Sequence, residues 1–210
     1  SLLPVSKTKP PSMVDEAYQA GYRLFGENKV QDALAKSELM DADHPGLEWA
    51  IIGGLQTNKA KYVARFAAEF QALDSLKVAH ELDKRLQQEG HQLRVLVQVN
   101  SSAEPQKSGI APDEAVEFAR ELAAFDSLDV RGLMTVALNS PDQQAVADCF
   151  DLVAATQEKL RQEAGDISSW SELSMGMSGD LEIAIAHGST QVRIGTDIFG
   201  ARDPAQIWRP

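Results

Sequence analysis

The chain has 210 residues, 43% of them hydrophobic, with a formal net charge of −11 and a sequence pI near 4.8. That length is enough for one sizeable core and predicts a single domain over residues 1–210, while the acidic balance argues against nucleic acid and against an anionic membrane surface as partners. The one cysteine, Cys149, excludes an intrachain disulfide and fits a reducing, cytoplasmic setting.

In chain order, short apolar runs alternate with stretches of helical period. The runs cover residues 2–5, 23–25, 49–52, 70–73, 94–99, 130–136, 170–173 and 192–194. Between them, Ala79, Leu82 and Leu86 form one stripe, and Val116, Ala119, Leu122 and Ala123 a second. Val146, Cys149, Phe150, Val153 and Leu160 form a third. Pro11, Pro112 and Pro141 stand where helices would begin, which suits a residue without an N–H. A last, short helix is expected around residues 204–208. No apolar run approaches the roughly 20 residues of a membrane span, and no signal peptide is visible. The chain opens Ser1-Leu2-Leu3-Pro4-Val5, without Met and already in a strand, so residues upstream are expected to be missing.

Eight strands alternating with helices predict an α/β fold, a single (β/α)8 TIM barrel near the lower size limit of that architecture. The other candidate is an open doubly wound sheet, but no G-x-G-x-x-G follows the first run.

Chemistry in a TIM barrel sits at the C-terminal ends of the strands. Those positions hold one lysine, Lys7, one arginine, Arg193, and two Gly/Ser/Thr loops, residues 174–179 and Gly195-Thr196. A lysine directly after an apolar strand is partly desolvated, which favours the neutral amine that attacks an aldehyde. A surface lysine at a strand end fits the same pattern. Loops after the seventh and eighth strands are where such barrels bind phosphate, although ordinary turns with Ser178 as a helix cap fit them too. Asp180 would compete with phosphate for the same helix end. No His/Cys/acidic cluster has metal-ligand spacing, and no G-x-S-x-G elbow is present.

The stretches Val5-Ser6-Lys7-Thr8-Lys9-Pro10, Phe25-Gly26-Glu27-Asn28, Gly53-Gly54-Leu55-Gln56-Thr57-Asn58-Lys59, Lys107-Ser108-Gly109, Ser174-Met175-Gly176-Met177-Ser178 and Gln191-Val192-Arg193-Ile194-Gly195-Thr196 run in order along the chain. Together they resemble the YggS/PROSC family of pyridoxal-phosphate homeostasis proteins. The resemblance implies the barrel of fold-type III enzymes, similar to the N-terminal domain of alanine racemase. It implies pyridoxal 5'-phosphate (PLP) as cofactor, held as a Schiff base on Lys7. Arg193 matches the arginine facing the pyridine nitrogen. Ser178, Gly195 and Thr196 match positions around the phosphate, and Asn28 and Met175 positions lining the ring. A turn or cap residue is the plainer reading of Asn28, and core packing that of Met175. Lys59 and Lys107 fall in matching motifs without an assigned role. The chain departs from the family at Lys29, Ala50, Ala72 and Leu73, and lacks the family's N-terminal helix.

An arginine beside the ring nitrogen keeps that nitrogen unprotonated and weakens the ring as an electron sink. Racemisation needs a second acid/base group, yet no tyrosine, cysteine or histidine stands at a strand end, and no second domain is expected after Gly200. These features favour a PLP carrier or regulator without strong catalysis, and the resemblance implies a role in intracellular B6 and amino-acid homeostasis. The expected partners are small molecules, PLP and possibly amino acids, and a monomer is expected. The alternatives are a weak PLP-dependent racemase or lyase, and a scaffold that signals through a protein partner.

Overall fold

The structure is a computed structural model and describes residues 1–104, 106–164, 170–201 and 207–209. Among them, eight strands alternate with helices: β1 (Leu2–Pro4), β2 (Leu24–Glu27), β3 (Glu48–Ile51), β4 (Glu69–Leu73), β5 (Leu93–Gln98), β6 (Leu128–Met134), β7 (Glu172–Ser174) and β8 (Val192–Ile194). The helices are α1 (Pro11–Gln19), α2 (Val30–Met40), α3 (Ala60–Phe66), α4 (Leu76–Glu89), α5 (Ala115–Leu122), α6 (Gln143–Glu163), α7 (Leu181–Ala186) and α8 (Thr196–Phe199). Each of the eight apolar runs overlaps one strand, with boundaries that differ by at most two residues and coincide at β8.

Every strand pair is parallel. Strands β2 to β7 form one sheet in chain order, and β1 pairs with β8. Two isolated bridges, Val5↔Gly26 and Ser174↔Gln191, join these sheets at both edges. The Ser6 N–H donates to Gly26 O at 3.0 Å, and the Met175 N–H to Gln191 O at 3.0 Å. The ring therefore closes as a barrel, and the open-sheet alternative is excluded.

The main core lies between the barrel wall and the helices, and the three predicted stripes supply much of it. Ala79, Leu82 and Leu86 are fully buried, and so are Phe150, Val153 and Leu160 of α6. Ala123 is the exception: α5 ends at Leu122, and Ala123 is exposed beyond it. A second cluster packs Val14 and Ala17 of α1 and Met40 of α2 against Phe25, Trp49 and Phe199. Pro11 opens α1, and Pro112 opens a 3-10 turn (Pro112–Glu114) leading into α5. Pro141 instead lies outside α6. Its neighbour Asp142 is the cap, accepting from the N–H groups of Gln144 and Ala145 at 3.0 and 3.3 Å. The helix expected near residues 204–208 lies partly outside the described residues, and residues 207–209 are not helical. No helix among the described residues is long and apolar enough to cross a membrane.

Candidate functional site

The C-terminal ends of β1, β7 and β8 converge on a cavity of about 370 Å³, within the range of small-ligand sites. Of the seven residues singled out from the sequence, Lys7, Ser178, Arg193, Gly195 and Thr196 line it. Asn28 lines an adjoining depression together with Lys7, Thr8 and Trp208. Met175 is fully buried in the main core, and Met177, two residues on, faces the cavity. Lys9, Val5 and Ile52 complete much of the wall, as do Gly200 and Ala201.

Lys7 is half-buried in the turn that ends β1. The turn is closed by the Lys9 N–H donating to Ser6 O at 3.0 Å, and Thr8 takes a left-handed φ of 68°. Lys9 reaches across to donate from Nζ to Ala201 O at 2.9 Å. Both lysines thus come from one short segment, and Lys9 was visible as a second cation two residues after the first.

Arg193 stands on β8 with 4% of its surface exposed. Its Nη1 donates to Ser174 O at 2.6 Å and to Ser174 Oγ at 2.8 Å, and its Nη2 to Thr135 O at 2.7 Å. Those acceptors carry no charge. Burial pushes the guanidinium down to about 10, opposed by the nearby Asp180 carboxylate, so it stays cationic at neutral pH.

The β7–α7 loop is shaped by Gly176, at φ +96°, where an added Cβ would lie 2.6 Å from Ala184 Cβ. Asp180 stands at the N-cap position of α7, but its carboxylate turns back from the helix instead of capping it. Its Oδ1 accepts from the Met177 N–H at 2.6 Å, and α7 has no side-chain cap. The carboxylate is absorbed by its own loop and does not line the cavity. Helix α8 begins at Thr196 with Gly195 before it, again without a side-chain cap. A Cβ at Gly195 would lie 3.2 Å from Val5 O, a tight approach where β8 passes β1.

Among the described residues, the wall therefore offers two amines, a guanidinium, two hydroxyls and glycine backbone, with no carboxylate, His, Tyr or Cys. This donor set fits PLP. Hydroxyl and N–H groups at Ser178, Gly195 and Thr196 suit a phosphate, a half-buried amine suits an aldehyde, and the positive balance suits an anion.

The sequence model of the family described as alanine racemase, N-terminal domain, matches residues 1–203. The pyridoxal phosphate homeostasis protein of Vibrio cholerae is 44% identical over 204 residues, covering 96% of this chain and 85% of that protein. The protein of the same name from Escherichia coli K12 is 43% identical over 207 residues, covering 97% and 86%. PipY of Synechococcus elongatus, in a structure with PLP bound, superposes with a TM-score of 0.88 at 34% identity, covering 95% of this chain and 92% of that one. The chain belongs to the family of pyridoxal phosphate homeostasis proteins, built on the alanine racemase N-terminal domain.

Proposed function

We propose that this protein holds PLP in the cavity at the ends of β1, β7 and β8, joined covalently to Lys7, and serves intracellular PLP and amino-acid homeostasis as a carrier. The observation that carries this reading is the cavity wall itself: Lys7, Arg193, Ser178, Gly195 and Thr196 meet there without a competing carboxylate among the described residues. The names of the relatives and the PLP-bound structure of PipY support it.

In this reading the Lys7 amine receives the aldehyde. Arg193, fixed by Ser174 and Thr135, faces the ring nitrogen as a donor. Ser178, Gly195 and Thr196 hold the phosphate. Asn28 approaches the same lysine from the adjoining depression, and Met177 takes the ring-lining place first given to Met175. Bound PLP supplies an electrophilic aldehyde and an electron-withdrawing ring. An arginine donor at the nitrogen limits the second property, and among the described residues the wall carries no partner acid for racemisation beyond its lysines. That combination favours storage and delivery over turnover. Cys149 is a buried free thiol, which supports a reducing compartment.

The test is an absorption spectrum of the purified protein, followed by borohydride reduction and peptide mapping. A visible band that reduction abolishes, with the mass label on Lys7, is expected. A Lys7→Ala variant that keeps a reducible covalent adduct overturns the assignment.

A further inference from the structure

Arg193 is one end of a hydrogen-bonded chain that crosses the barrel interior. Its Nη1 donates to Ser174 Oγ at 2.8 Å, Ser174 Oγ donates to Gln71 Oε1 at 2.7 Å, and Gln71 Nε2 donates to Glu69 Oε1 at 2.5 Å. Gln71 Nε2 donates also to Gln191 Oε1 at 2.6 Å. Gln71 stands on β4, Ser174 on β7 and Gln191 just before β8, so these bonds span strands that are not neighbours in the ring. They must therefore run through the interior. Ser174 and Gln71 are fully buried, and Glu69 and Arg193 are each 4% exposed.

The chain has one direction, fixed by chemistry. A guanidinium can only donate, so the Ser174 hydroxyl accepts from it and gives its own proton onward. The Gln71 amide must then present oxygen to Ser174 and nitrogen to Glu69. Its reverse orientation would set the amide oxygen against the Glu69 carboxylate oxygen. Aligned donors of this kind polarise one another in a low-dielectric interior. Glu69 lies at the start of β4, at the far end of the barrel from the cavity, with Arg94 Nε 3.8 Å from its Oε2. No function assigned to the cavity uses Glu69 or Gln71.

We propose that Gln71, anchored by Glu69, is a positioning residue for the cavity. It orients the Ser174 hydroxyl to accept from Arg193 and so sets how the guanidinium is presented to the ligand. The Ser174 and Thr135 carbonyls still hold Arg193 when this relay is cut. The relay therefore governs orientation and polarisation of the guanidinium rather than its presence. The proposal rests on the reading that Arg193 faces PLP.

Two variants of the full chain test it. Glu69→Gln keeps an acceptor oxygen and the packing volume while removing the charge, and Gln71→Leu removes the relay. The first readout is the 15N-resolved guanidinium resonances of Arg193 in the cofactor-free protein. The second is the absorption maximum of the PLP-loaded protein. Both variants should move the Arg193 resonances and the maximum, with PLP retention within about tenfold of wild type. The double variant should move them no further than Gln71→Leu alone, because Glu69 acts through Gln71. Unmoved Arg193 resonances in Glu69→Gln, or additive shifts in the double variant, overturn the proposal. If Gln71→Leu fails to fold, Glu69→Gln decides alone. Resonances that move beneath an unchanged PLP spectrum support the relay, and overturn instead the assignment of Arg193 to the cofactor.

Discussion

The Lys36 ammonium lies 2.5 Å from the Glu27 carboxylate, Nζ to Oε1, with both side chains fully buried. The same ammonium donates to Ser6 O at 2.8 Å, and the Ser6 hydroxyl donates to Glu27 Oε1 at 2.6 Å. The Trp208 ring lies 5.2 Å from Nζ. A buried ion pair thus grips the residue that precedes Lys7. Burial pushes the Glu27 carboxyl up, and the Lys36 charge is the largest influence opposing it.

Breaking this pair leaves a charge buried alone. Lys36→Met should destabilise the fold by about 3–5 kcal/mol, read as a lower urea midpoint. Adding Glu27→Leu should recover most of the loss, since an apolar pair of similar volume avoids both desolvation penalties. A double variant no more stable than Lys36→Met would show that the packing of the lysine stem, and not the stranded carboxylate, sets the cost.

Thr196 should contribute directly to PLP retention. A hydrogen bond to a charged group is worth roughly 1.5–3 kcal/mol, so Thr196→Val should weaken retention by about one to two orders of magnitude. Dialysis of loaded protein against buffer, followed by absorbance, gives the ratio. Retention equal to wild type would place the phosphate away from the start of α8.

Amino acids should perturb the protein without being consumed. A free amine competes with Lys7 for the cofactor aldehyde, so the absorption spectrum should change when L- or D-amino acids are added. Chiral chromatography should find no product accumulating. Steady product formation, linear in protein and abolished by Lys7→Ala, would establish the enzyme reading instead.

His44 links the end of α2 to α1. Its Nε2 lies 2.8 Å from Asp15 Oδ1, its Nδ1 lies 2.8 Å from Met40 O, and its ring sits edge-on to Tyr18. The Asp15 bond, aided by the Met40 carbonyl, raises the imidazole above 6.5, and the same contact lowers Asp15 below 3.8. The histidine contribution is complete below pH 6.5 and is lost as pH rises through the elevated folded value. The aspartate contribution is complete above pH 3.8 and is lost as pH falls through the depressed one. The stability difference between wild type and His44→Ala should therefore be greatest between these two values and shrink as pH rises through the elevated histidine value. A difference that stays flat with pH would mean that the Tyr18 packing alone is at stake.

The barrel was legible because buried parallel strands leave continuous apolar runs between Gly and Pro turns. That Lys7, Ser178, Arg193, Gly195 and Thr196 would share one cavity was legible because the C-terminal strand ends of this architecture open onto one mouth. The polar interior was not. Glu69 lies one residue before the fourth apolar run and reads as its boundary, and only ring closure shows that Gln71 meets Ser174 and Gln191. Met175 and Met177 were indistinguishable without the turn at Gly176, which ends the strand alternation between them. Lys36 reads as a solvated helix residue. Yet it shares a buried stripe with Ala33, Ser37 and Met40, a spacing that places it on the inner face of α2. That periodicity was the available signal.

The pairing of β1 with β8 also has a consequence for synthesis. Lys7 leaves the ribosome well before Arg193, Gly195 and Thr196, and β1 has its paired strand only once β8 has emerged. Until then the nascent chain has the Lys7 amine but neither the Arg193 guanidinium nor the Gly195-Thr196 side of the cavity. Loading with PLP would then report that translation has run through β8, and chains stalled before that strand should remain colourless.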